Sequence, residues 1–151
     1  MSRKSVRAIV IKDSKLLVMF RNKFGVKYVT LIGGSVEMGE SLEQAVVREL
    51  QEETTLRVAN PRLVMIDHAD FYGDQYVFYC DYVSGEPQLT PDSPEASIHK
   101  LGKNLYEPGW LPLSELPKVP FLSKELQEAI ISATTSGWAN EVVEFSSQRN
   151  V

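Results

Sequence analysis

The sequence predicts an α/β fold in which a mixed β-sheet is flanked by helices. Three observations carry this. Several segments have strand length and strand periodicity, whereas only two stretches, 41–53 and 122–133, repeat their apolar residues at helical spacing. The segment Tyr76–Val83 is apolar on both faces, with Tyr76, Phe78, Cys80 and Tyr82 on one and Val77, Tyr79 and Val83 on the other, as a central strand of a covered sheet requires. No repeat or composition shift divides the chain, so strands and helices are expected to pack as one domain over 1–151.

Along the chain, Ser5–Ile11 and Lys15–Phe20 read as two strands joined by a short turn at Asp13-Ser14, and Val26–Ile32 as a third. Gly33-Gly34 interrupts the apolar run and reads as a break. The helix over 41–53 opens on Ser41, a good N-cap, with Gln44 three positions on to complete a capping box. Leu63–Ala69 and Tyr76–Val83 are further strands. Residues 84–109, rich in Gly, Pro, Ser and Asp, read as a long loop, the kind of segment that tends to carry function. Trp110–Leu113 returns to an extended form. Leu122–Ala133 places Leu122, Leu126, Ala129, Ile130 and Ala133 on one helical side. Val142, Val143 and Phe145 fit either an edge strand or a loosely docked tail, and the ends, about 1–4 and 136–151, are expected to be loosely ordered.

With 43% hydrophobic and 24% charged residues, the 151-residue chain has the composition of a soluble globular protein large enough for a real core. The single cysteine, Cys80, excludes an intramolecular disulfide, suits the reducing cytoplasm and is expected to be a core thiol. No stretch approaches the roughly 20 apolar residues of a membrane helix. The net charge of −4 is uneven: residues 1–30 carry eight basic residues against Asp13 alone, leaving −11 for the remainder. Such a basic segment is either a set of solvated strand edges or a rim that draws a polyphosphate toward an acidic site. Duplex nucleic acid is not an expected partner of this acidic chain, which carries no nucleic-acid-binding motif.

The most informative residues are Glu49, Glu52 and Glu53, at i, i+3 and i+4 on the first helix. At about 100° per residue, Glu49 and Glu53 fall within about 20° of Leu42, on the broad side that also holds Ala45, Val46 and Leu50. Gln44, Val47, Arg48 and Gln51 take the other side. A wet helix face would place the glutamates the opposite way. Charge in an apolar stripe is costly unless a cation or an arginine compensates it. An oxygen-only donor set suits Mg²⁺, which binds through few carboxylates together with substrate phosphates. Zinc is a poor fit: only His68 and His99 are present, and neither lies near the acids in sequence. His68, within a strand, is expected to be structural.

The residues upstream make the motif specific. Gly34, five residues, Glu40, seven residues, then Arg48-Glu49-Leu50-Gln51-Glu52-Glu53 resembles the Nudix box, and Gly33-Gly34-Ser35-Val36-Glu37-Met38-Gly39-Glu40 looks like its commonest opening. With six fixed residues at about 7% each and one aliphatic at about a quarter, a chance match in this chain is on the order of one in 10⁵ or rarer. The box spans 34–56. Thr55 departs from it, standing where the family has a glycine that ends the helix in a left-handed conformation, so a differently built turn is expected there. Ile32 replaces a frequent proline.

The resemblance implies a Nudix-type α/β/α sandwich and hydrolysis of a diphosphate linkage in a nucleoside-diphosphate derivative (an NTP, dinucleoside polyphosphate or nucleotide sugar), with Mg²⁺ or Mn²⁺ as cofactor. Carried over, Glu49 and Glu53 become metal ligands, Glu52 a further ligand or general base, and the Gly33 carbonyl an additional ligand. Arg48 orients the acids, and Glu40 and Gly39 steady the loop ahead of the helix. A fourth acid from a distant loop is expected, Glu95 first and Glu107 second. Gly34 and Arg21 are expected at the substrate, with Phe24 and Tyr28 as candidates for stacking on a base. The segment from Asn104 to Leu113 is similar to the one that closes many such domains, its Trp110 structural. Two other classes compete. A non-catalytic Nudix-fold nucleotide-binding or sensing module would have an eroded box, and an isoprenoid-diphosphate isomerase would need a cysteine in the pocket. Whether the chain forms a homodimer is left open by the sequence.

Overall fold

The computed structural model describes residues 4–89 and 104–151. In chain order these form β1 (Lys4–Ile9), β2 (Ile11–Lys12), β3 (Lys15–Lys23), β4 (Val26–Thr30), β5 (Ile32–Ser35), α1 (Leu42–Thr54), β6 (Arg57–Ala69), β7 (Gly73–Ser84), β8 (Asn104–Pro112), a 3₁₀ helix (Leu113–Lys118), α2 (Lys124–Ser136) and β9 (Val143–Ser147). A mixed five-stranded sheet runs β5-β1-β7-β6-β9, and a second sheet is built on β3, which pairs with β2, β4 and β8. β1 lies parallel to β7, which makes the larger sheet mixed.

Strand alternation sorts the core into two layers. Val6, Ala8, Val10, Leu17, Met19, Phe78 and Cys80 pack with Ala45, Val46 and Leu50 of α1. Ile9, Leu16, Val18, Met65 and Val77 face the other way and pack with Leu126 and Ile130 of α2. The result is the α/β/α sandwich. Cys80 is buried in the α1 layer, and burial pushes its thiol up to about 12, which leaves it unreactive and removes the isomerase reading's cysteine.

Turn chemistry explains the hairpins. Asp13 and Ser14 adopt φ of 50° and 60°, and Phe24 and Gly25 adopt 52° and 92°, the two-residue left-handed turns that match strand twist. β3 therefore runs on to Lys23, past the expected end at Phe20. Gly33-Gly34 is not a break but part of β5, with Gly33 opposite Arg7 and Gly34 opposite Val6. A Cβ on Gly33 would stand 1.8 Å from the Val6 carbonyl oxygen, so glycine serves close backbone approach here. β6 begins at Arg57, well before Leu63, because irregular pairing around Asn60 (φ 52°) interrupts the alternation a reader would follow. Residues 104–109, expected as loop, belong to β8, paired with β3 along its whole length. Pro108 and Gly109 disguised this strand, but among the described residues β8 pairs only with β3, and an edge strand tolerates proline. The tail question resolves as an edge strand: β9 pairs in parallel with β6 from Met65↔Val143 to Ala69↔Ser147.

Candidate active site

α1 starts as its sequence dictates. The Ser41 hydroxyl accepts the Gln44 N–H at 3.1 Å and the Gln44 side chain accepts the Ser41 N–H at 2.9 Å, satisfying two orphan amides. The helix then turns Glu49 and Glu53 inward, at 8% and 6% exposure, beside Ala45, Val46, Leu50 and Thr54. Glu52 stays on the outer rim, its side chain 55% exposed.

Arg48 organises these acids. Its Nε and one Nη donate to the two oxygens of Glu40 at 2.6 and 2.9 Å, a bidentate pair. The other Nη donates to Glu49 and to Glu52, each at 3.0 Å. A further bond reaches the Ser35 carbonyl at 3.1 Å and ties the helix to the end of β5. The Arg48 guanidinium and the Glu37 N–H hold the Glu40 carboxyl well below the usual range, at about 2, and Glu40 in turn raises the guanidinium. Gly39, at φ 78°, makes the turn just before Glu40.

Glu49 packs directly on the glycine strand. A Cβ on Gly34 would lie 2.4 Å from Glu49 Cδ and 2.5 Å from each of its oxygens, so only glycine leaves the carboxylate where it is. Beside it opens a cavity of about 340 Å³ between β5, β1 and β7, the β3–β4 pair and the start of α2. Glu53, Gly33 and Gly34 line it, as does Arg21, which stacks on Tyr106 at 3.7 Å, lies 5.4 Å from the Tyr28 ring and is also held by Asn104 and the Leu105 carbonyl. Tyr28 itself is buried beneath Arg21 and does not line the cavity, and Phe24 sits at the β3–β4 turn, 68% exposed, also outside the lining. Glu107 points outward from β8, away from the cavity. Glu95, like His99, lies outside the described residues.

The structure adds lining residues that sequence reasoning missed: Ser5, Arg7, Tyr72, Gln75 and Tyr106. Each looks ordinary alone, and only strand register brings them together.

As a cation site, the donor set is all oxygen. Among the described residues no three Asp, Glu, His or Cys side chains converge into a ready cage. Two buried carboxylates and the neighbouring Gly33 carbonyl nevertheless fit a hard divalent ion that completes its shell with water and phosphate. His68, the one histidine among the described residues, is engaged elsewhere, between Asp74 and Glu144.

Comparison with known proteins agrees with this geometry. The family model for the NUDIX domain matches residues 1–131. The NAD-capped RNA hydrolase NudC of Citrobacter koseri is 37% identical over 115 residues, 75% of this chain and 40% of that protein. The NudC of Pectobacterium atrosepticum is 30% identical over 110 residues, 72% and 38% of the two chains. This chain thus spans about 40% of the length of these relatives. Among solved structures, the MutT NUDIX hydrolase from Burkholderia pseudomallei superposes with a TM-score of 0.64 at 25% identity over 84% of this chain and 95% of that one. A NUDIX hydrolase from Nitrosomonas europaea reaches 0.69 at 20% identity over 91% and 92%, a likeness of fold. Box, sandwich and family model coincide, and the chain belongs to the NUDIX family.

Proposed function

We propose that this chain is a Mg²⁺-dependent pyrophosphohydrolase that cleaves the diphosphate linkage of a nucleoside diphosphate joined to a further group, acting in the cytoplasm. The observation that carries the reading is the pair of buried carboxylates, Glu49 packed against Gly34 and Glu53 lining, with Gly33 and Gly34, a cavity of about 340 Å³. Burial of charge is costly unless compensated, and a divalent cation beside Arg48, which is engaged with Glu40, Glu49 and Glu52, would add to that compensation.

Glu49, Glu53 and the Gly33 carbonyl hold the ion. Bound there, a divalent ion would supply neutralisation of diphosphate charge and acidification of water. Arg48 fixes the Glu49 and Glu52 carboxylates relative to β5, so both are oriented before substrate arrives. Glu52, on the solvent side, serves as a further oxygen donor or takes the proton of the attacking water. Arg21, pre-stacked on Tyr106, presents its guanidinium to a phosphate oxygen, and Gly34 lets the diphosphate approach the strand backbone. The NudC relatives are named for hydrolysis of NAD-capped RNA. The substrates to test first are therefore NTPs, dinucleoside polyphosphates, nucleotide sugars, capped RNA 5′ ends, with the NAD cap among them, and dinucleotide diphosphates.

The decisive experiment is phosphate, pyrophosphate or nucleotide release from that panel, with mass identification of products. Release is expected to need Mg²⁺ or Mn²⁺ and to fall by about 10³-fold in Glu53→Gln. A folded Glu53→Gln protein that turns over like wild type would overturn the site, and nucleotide binding without turnover across the panel would overturn the reaction.

A further inference from the structure

The cavity has a wall that the carboxylate chemistry does not use. Ser35, Ser5, Gln75 and Asp67 occupy directly paired positions on β5, β1, β7 and β6, so they form one polar row on the α2-facing side of the larger sheet. Arg7 lies two residues along β1 on the same face. Gln75 accepts the Arg7 Nε–H at 2.9 Å and donates to Asp67 at 3.1 Å. Asp67, fully buried, accepts the Ser147 hydroxyl at 2.7 Å with its other oxygen. A hydrogen-bonded chain thus runs from β9 through the sheet to Arg7 at the cavity. β9 lies beyond the residues that the family model matches.

One member of the row is left unsatisfied among the described residues. Ser5 lines the cavity and is 4% exposed, and its hydroxyl has no hydrogen-bond partner among those residues. A buried hydroxyl without a partner is costly, and its position at the cavity says where the partner belongs. The rest of the lining suits a flat heterocycle better than a second phosphate: Tyr72 and Tyr106 offer rings, and Met19, Leu31 and Leu122 are apolar. Arg7 itself lies 5.2 Å from the Tyr72 ring.

We propose that Ser5 and Arg7 form the edge that recognises the base-like heterocycle of the substrate, through its hydrogen-bond acceptors, and that Ser147 and Asp67 are positioning residues that hold this edge through Gln75. The proposal rests on reading the site as a nucleotide hydrolase, so its test is binding, which is independent of turnover. AMP, GMP, UMP and CMP are titrated calorimetrically into the full chain, with ribose 5-phosphate as the base-less comparator. At least one nucleotide is expected to bind more tightly than ribose 5-phosphate. Ser5→Ala is expected to weaken that nucleotide by about threefold to tenfold, to leave ribose 5-phosphate unchanged and to keep or raise Tm, because it removes an unsatisfied group. Ser147→Ala is expected to lower the same discrimination ratio, and Ser147→Thr, which keeps the hydroxyl, to restore it. Equal binding of ribose 5-phosphate and all four nucleotides would overturn the proposal. So would folded Ser5→Ala and Ser147→Ala proteins that discriminate like wild type. If nucleotides bind as expected and no panel substrate is hydrolysed, the hydrolase reading fails while this edge stands.

Discussion

The two sides of the larger sheet bury polar groups in opposite ways. On the α1 side the strands are apolar, and the charge comes from the helix, where Glu49 lies against Gly34 and is tied down by Arg48, and Glu53 is buried one turn further on. On the α2 side the polarity is in the strands themselves: Gln75 and Asp67 are joined by hydrogen bonds to each other, to Arg7 and to Ser147, with Ser5 paired in register beside Gln75. Burial pushes the Asp67 carboxyl up while Ser147 and Gln75 hold it back down. The α1 side ties Glu49 and Glu52 to Arg48 by ion pairs, and carboxylates gathered in this way suit binding a cation. The α2 side holds its polar row with directional bonds, which suits reading the shape of a bound group. The difference teaches that ionic and hydrogen-bonded burial serve separate parts of one site.

The sharpest way to break that comparison is at the two glycines of β5. The three atoms nearest an added Cβ at Gly34 are the end of the Glu49 side chain, which can swing away at little cost to the fold. Gly34→Ala is therefore expected to keep near-wild-type Tm while hydrolysis falls by about 100-fold, the scale of an ångström-level misplacement. An added Cβ at Gly33 meets the Val6 backbone and has no such escape, so Gly33→Ala is expected to disrupt β5–β1 pairing and lower Tm. Thermal melts run beside turnover assays separate the two. Equal effects of the two substitutions on turnover and Tm would mean that Glu49 is not held by the glycine strand.

How much of this was legible follows the same division. The α1 side is local: the box spacing, the helical phase of Glu49 and Glu53 and the Ser41–Gln44 cap all lie within a few turns of chain, and the structure places them as read. The α2 side is not. Ser5 meets Gln75 only through parallel pairing of strands 70 residues apart, and Ser147 meets Asp67 across 80. No periodicity within one segment encodes such a meeting. Phe24 illustrates the same limit: its chemistry suggests base stacking, but a φ of 52° in a two-residue turn puts it at a hairpin tip. β8 was masked by its own composition, because Pro108 and Gly109 signal loop unless the edge position is known.

Thr55 sharpens the comparison from the end of α1. A differently built turn was expected there, yet Thr55 adopts the left-handed conformation itself, at φ 64°, with its N–H bonded to the Gln51 carbonyl as a C-cap. The strain that a β-branched residue carries there, about 1–2 kcal/mol, is partly offset by its hydroxyl, which donates to the Glu86 carbonyl at 3.2 Å. Thr55→Gly relieves the strain but loses that bond and gains unfolded-state entropy, so a net stabilisation of about 0.5 kcal/mol is expected. Thr55→Val keeps the strain without the hydroxyl and is expected to be less stable than wild type. Chemical denaturation resolves both, and a Thr55→Gly protein less stable than wild type would show that the Glu86 bond outweighs the backbone.

The smallest effect tests whether β9 is anchored independently of the buried row. His68 of β6 sits between Asp74 of β7 at 2.7 Å and Glu144 of β9 at 2.5 Å, and these two carboxylates raise its pKa above the ordinary value. For a histidine raised in the folded state, the stabilisation is complete below the unfolded value, about 6.5, and is lost as pH rises through the folded value. The His68–Glu144 pair is largely exposed, so the shift in Tm between wild type and His68→Gln is expected to be at most about 2 °C. The clearer readout is hydrogen-exchange protection of the amides in Val143–Ser147. Wild type should exceed His68→Gln at about pH 5.5 and approach it at about pH 8.5. Because Ser147 holds Asp67 through a hydrogen bond that does not depend on this titration, discrimination by the cavity should stay constant across the same range. If base recognition instead fell together with β9 protection, the ionic clamp and the buried row would be a single device, and the separation between the two kinds of burial would not hold at the C-terminal strand.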